Sequence, residues 1–138
     1  MHINFVDIDD PDFDPELYLR LLVAVAKSDP DNGPPEYAYV QEQAHRLGLD
    51  LVPYWNETSK RFLLDTGVRA SRLTALIVIK DCIMLATLDG HFSLGEKETV
   101  YKTAERLDLP RSSVDRLMEW LERYRKLTAD WQRLVDDR

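Results

Sequence analysis

LTALIVIKDCIMLATLDGHFSLGE, residues 73–96, decides the fold. A nearly all-apolar helix closes at Asp89-Gly90, a short turn follows, and a new helix opens with Glu96 in its first turn. A helix that is apolar on almost every side must be wrapped by other helices. The rest of the chain supplies them. It has only 5 Gly and long stretches of helical periodicity. One short alternating segment, Ile3–Ile8, is the single candidate strand.

Upstream of the central helix, Asp14, Pro15 and Glu16 open a first helix at about residues 15–27. SDPDNGPP, residues 28–35, breaks it. A second helix follows at about 35–47 and ends before Gly48. Asp50 caps a third, at about 51–64, in which Pro53 is tolerated in the first turn. The central helix is the fourth, at about 71–88. Downstream, a fifth at about 94–107 carries Val100, Ala104 and Leu107 on one face. A sixth at about 110–125 carries Val114, Leu117, Met118 and Leu121. Thr128 caps a short seventh, with Trp131, Leu134 and Val135 facing inward. The expectation is an all-α domain of about seven helices spanning residues 15–138, preceded by an acidic arm at residues 1–14. Five aspartates crowd that arm: Asp7, Asp9, Asp10, Asp12 and Asp14.

Residues 17–50 align without a gap on 77–110. Ala26/Ala86, Asp29/Asp89, Glu36/Glu96, Val40/Val100, Ala44/Ala104, Arg46/Arg106, Leu47/Leu107 and Leu49/Leu109 are identical. Each copy reads as an apolar helix, an Asp at its end, a turn, a Glu opening the next helix, then Ala-x-Arg-Leu-x-Leu. Two duplicated helical hairpins packed around the central apolar helix are the simplest consequence; a solenoid would need more copies.

The matched acidic residues are the candidate site. Aspartate at a helix C-terminus faces the unfavourable end of the dipole. Its recurrence as Asp29 and Asp89, each followed seven residues later by Glu36 or Glu96, points to oxygen ligands for a divalent cation: Ca²⁺, Mg²⁺, Mn²⁺ or Zn²⁺. The competing explanation is structural. Ser93-Leu94-Gly95-Glu96 fits the capping box, and Glu36 takes the same third position of its helix. Asp81, inside the apolar helix, calls for a cationic partner, or supports the site. His91 adjoins the turn as a further candidate ligand. An EF-hand is excluded for residues 29–40, because Pro34 and Val40 stand where glycine and a bidentate glutamate are needed.

Other classes fall away. The net charge of -7 disfavours nucleic acid as a partner. No apolar run spans a bilayer, and the start of the chain does not resemble a signal peptide. The single cysteine, Cys82, fits a reducing, cytoplasmic setting. No nucleophile elbow, phosphate loop, H-E-x-x-H or paired-cysteine motif is present, which argues against an enzyme. Arg116, Arg123, Arg125, Lys126 and Arg133 make the C-terminal end locally basic: a solvated face by default, a partner-binding face as the alternative.

IKDCIMLATLDGHFSLGEKETVYKTAERLDL, residues 79–109, resembles the TerB-like (tellurite-resistance) helical family. The likeness extends over residues 17–125. It implies an all-helical fold of two related halves and divalent-metal chelation by acidic positions. Here those are Asp89 and Glu96, with Asp29 and Glu36 in a first half where Pro30 replaces the glycine. It also implies stress or tellurite resistance and association with the periphery of a membrane. Taken together, the expected function is a non-enzymatic module that binds a divalent cation and a protein partner. A metal-free interaction adaptor is the alternative, and a metal-assisted hydrolase a third class without a convincing base or nucleophile.

Overall fold

A computed structural model describes residues 10–29, 33–64, 69–88 and 92–137. The candidate strand at Ile3–Ile8, the candidate ligands Asp89 and His91, and the turn at Thr66-Gly67 lie outside the described residues. What is described is all-helical, with no strand among the described residues. The elements are α1 (Pro15–Ser28), α2 (Pro34–Arg46), α3 (Leu51–Glu57), a 3₁₀ turn (Lys60–Leu64), α4 (Arg72–Ala86), α5 (Leu94–Arg106) and α6 (Arg111–Asp136). No helix among them is long and apolar enough to cross a membrane.

The cap residues set these boundaries. Asp14 accepts from the Leu17 amide at 3.1 Å, Asp50 from Val52 at 3.2 Å, and Ser71 from Thr74 at 3.1 Å. Each satisfies an amide the first helical turn leaves unpaired. The end of the N-terminal arm is tied to the start of α4. The Asp14 amide donates to Thr74 Oγ1 at 3.0 Å, and Ser71 Oγ donates to the Asp12 carbonyl. Phe13 is buried beside Tyr18.

α1 and α4 form the centre. α2 packs on α1, α5 on α4, and α6 on α4 and α5. Leu19, Leu22 and Val23 of α1 and Val78 and Ile79 of α4 are fully buried. α2 and α5 lie sixty residues apart in the sequence with the same register and the same ending. The Leu49 amide reaches back to the Ala44 carbonyl at 2.9 Å and Leu109 to Ala104 at 2.9 Å. Gly48 and Asp108 donate to the His45 and Glu105 carbonyls at 3.0 and 3.1 Å. Both are Schellman closures, which place the residue after the cap in the left-handed region. Its φ is +70° at Gly48 and +59° at Asp108, the one non-glycine with positive φ among the described residues.

Three of the seven expected helices are not as the periodicity suggests. The third stops at Glu57, and Thr58 turns to extended backbone before the separate 3₁₀ turn. The reason is tertiary: Lys27 of α1 donates its ammonium to the carbonyls of Trp55 and, at 2.7 Å, of Thr58, taking the place of the amides that would continue the helix. The expected sixth and seventh helices are one. α6 runs unbroken for 26 residues, about 39 Å at 1.5 Å per residue. The count is therefore six α-helices among the described residues. Trp131, Leu134 and Val135, expected to face inward, are 57%, 70% and 50% exposed. No helix-breaking residue separates Arg125 from Thr128, and the last turns of α6 run beyond the body.

Candidate functional site

At the first helix end, Asp29 is exposed, and its amide donates to the Ala26 carbonyl at 3.3 Å. Glu36 accepts from the Gly33 amide through Oε2 at 3.0 Å. In the second copy Glu96 accepts from the Ser93 amide at 3.1 Å while Ser93 Oγ accepts from the Glu96 amide at 3.1 Å. Both glutamates thus serve as N3 caps, fully reciprocal at α5 and half of the motif at α2, where glycine has no side chain to return the bond. Among the described residues, no three His, Cys, Asp or Glu side chains gather as a metal-binding group. Glu36 and Glu96 are thus engaged in shaping helix starts, Asp29 is exposed at a helix end, and Asp89 lies outside the described residues.

Asp81 belongs to a different arrangement. It is wholly buried in the middle of α4. Tyr18 of α1 donates its hydroxyl to Oδ2. Tyr39 of α2 donates to Oδ1 at 2.5 Å. The ammonium of Lys80, itself 1% exposed, lies 2.6 Å from Oδ1. One carboxylate therefore ties three helices together, and its charge is matched inside the core. Burial first, and then the Asp81 charge, push both tyrosine hydroxyls well above their ordinary range, so they stay protonated and able to donate. The same two causes raise the Cys82 thiol, and a buried neutral thiol is unreactive. Asp81 thus sits with the cationic partner its burial demands. Sequence reasoning missed Tyr18 and Tyr39. Their signal was present: each is a hydroxyl on the apolar stripe of a helix expected to pack on α4.

The remaining feature is a surface. Leu127 (67% exposed), Trp131, Leu134 and Val135 form an apolar stripe on the free end of α6. Beside it runs an open groove of about 380 Å³, lined by α6 residues alone: Tyr124, Leu127, Thr128, Asp130, Trp131 and Leu134. Trp120 and Tyr124 stack at the inner end of the stripe, with ring centroids 5.6 Å apart. Scattered exposed hydrophobics are ordinary; here they are contiguous along one helix face.

Comparison with protein-family models, with curated proteins and with solved structures finds no match to this chain.

Proposed function

We propose that the chain is a non-enzymatic helical interaction module whose working surface is the apolar stripe of α6. The observation that carries this reading is the exposure of Leu127, Trp131, Leu134 and Val135 on a helix that leaves the body. Leaving four large apolar side chains in water forfeits about 1.5–3 kcal/mol apiece relative to burial. Tryptophan and leucine at helical spacing are the residues that anchor a helix in a partner's groove. In this reading the acidic residues of the turns start and end helices, and the Asp81 cluster, sealed from solvent, holds the body rigid. The matched endings of α2 and α5 support kinship between the two halves, which is what the TerB-like resemblance implies. A link to stress or tellurite resistance rests on that resemblance alone.

The experiment places a photo-crosslinking benzophenone residue at position 131 of the full chain, with position 132 as the control. A discrete protein adduct at 131 that is absent at 132 is the expected outcome. No adduct at either position, or equal labelling at both, overturns the reading.

A further inference from the structure

The stripe on α6 has a stricter pattern than exposure alone requires. From Leu117 the apolar and aromatic positions step by three and four residues: Leu117, Trp120, Tyr124, Leu127, Trp131, Leu134. This is the a/d repeat of a two-helix seam. The seam is not the face that α6 turns to the body. Val114 and Leu121 are buried there. At 100° per residue the seam lies roughly a quarter-turn further round the helix, sharing only Leu117 with that face.

The flanking positions identify the partner. Arg116, Arg123, Asp130 and Asp137 occupy one flank at successive seven-residue steps, two basic and then two acidic, all exposed. The other flank, Leu121, Thr128 and Val135, is uncharged. In a parallel pair of identical helices the two flanks face one another, and these charges meet no opposite charge. In an antiparallel pair each flank faces its own copy, and the blocks become self-complementary.

We propose that α6 pairs with α6 of a second copy as an antiparallel two-stranded coiled coil centred between Tyr124 and Leu127. The inference rests on the interaction reading and names its partner. The layers are Tyr124 with Leu127 of the second copy, Trp120 with Trp131, and Leu117 with Leu134, each occurring twice by symmetry. Arg123 faces Asp130 of the second copy, and Arg116 faces Asp137. Asp130 already holds Arg133 of its own helix at 3.0 Å. That exposed pair is readily exchanged, because such pairs contribute little. Antiparallel pairing also sets the acidic C-terminal end of each helix, Asp136 and Asp137, beside the basic part of the other.

Sedimentation velocity of the full chain at rising concentration tests this. Conversion to twice 16.1 kDa is expected, with a dissociation constant at or below about 10 μM. Leu127→Glu should raise that constant at least about 100-fold while leaving the circular dichroism helical. Arg123→Asp and Asp130→Arg should each weaken the dimer about 10-fold, because each sets like charges face to face. The double variant should restore it. A chain that stays monomeric to about 200 μM overturns the proposal, and a crosslink at position 131 to a different protein would then leave the interaction reading standing. Failure of both experiments removes both. A dimer indifferent to Leu127→Glu overturns the proposed interface. Loss in each charge reversal without rescue in the double variant overturns the antiparallel register.

Discussion

Replacing Asp81 by asparagine removes one charge from the middle of the molecule with almost no change in volume, so no cavity confuses the result. Three groups depend on that carboxylate: the hydroxyls of Tyr18 and Tyr39 and the ammonium of Lys80. An asparagine carbonyl can accept from one tyrosine. Its amide then turns donors toward the other tyrosine, and the lysine ammonium loses the carboxylate charge that lies 2.6 Å from it in a buried site. Removing one partner of a buried ion pair costs about 3–5 kcal/mol, and a buried hydroxyl without its acceptor adds about 1–3 kcal/mol. These terms overlap, and about 4 kcal/mol is the expected loss. A domain of 138 residues has roughly 7–20 kcal/mol in total, so Asp81→Asn should fold but unfold early. In urea, with a slope of about 2 kcal/mol per molar, the midpoint should fall by about 2 M. The cause is charge, so removing the other charge should help. Lys80→Met added to Asp81→Asn should recover at least half of the loss, a coupling that equilibrium unfolding reads as a double-mutant cycle. A loss below about 1 kcal/mol for Asp81→Asn would refute the reasoning, as would simple additivity of the two substitutions.

The raised hydroxyls of Tyr18 and Tyr39 predict an alkaline limit. In the unfolded chain both ionise near 10.0, whereas in the fold they ionise well above it. Their contribution is complete below about pH 10 and declines as the pH rises toward the folded values, at about 1.4 kcal/mol per pH unit for each tyrosine. Tyr18→Phe should make stability fall less steeply between pH 10 and 11, by up to about 1.4 kcal/mol per pH unit. At the ends of α2 and α5, Gly48→Ala should destabilise by about 1 kcal/mol, entirely through its φ of +70°, since nothing lies within 4 Å of the added methyl. Asp108→Gly should stabilise by about 0.5 kcal/mol; thermal unfolding that moves the other way would count against the left-handed closure. Ser93→Ala should cost about 1 kcal/mol, while Glu96→Gln, which keeps the capping box, should be nearly silent. Calorimetric titration of the chelator-stripped chain with Ca²⁺, Mg²⁺, Mn²⁺ and Zn²⁺ should show no saturable binding; binding lost in Asp89→Asn would return the acidic turns to a metal role.

Much of this molecule is legible in its sequence, because local chemistry fixes it. Helix starts follow from Asp14, Asp50, Ser71 and Ser93, whose side chains accept amide bonds within three residues of themselves. The all-α class follows from the apolar periodicity of residues 73–88, which needs helices around it. The matched stretches at 17–50 and 77–110 contain α2 and α5 in one register, and the same local bonds close both.

What the tertiary structure decided is how groups distant along the chain are used. Lys27 ends α3 from another helix, a contact across about thirty residues that no periodicity announces. Tyr18 and Tyr39 turn an isolated buried carboxylate into the tie between α1, α2 and α4. On α6, the spacing of Trp131, Leu134 and Val135 is plain in the sequence, but spacing gives only the face of a helix. Whether that face meets a core or water depends on where the body ends, and it ends before α6 does. The residues taken for the inner face of a last helix are its exposed surface, because the periodicity of burial by the chain itself and of burial by a partner is the same.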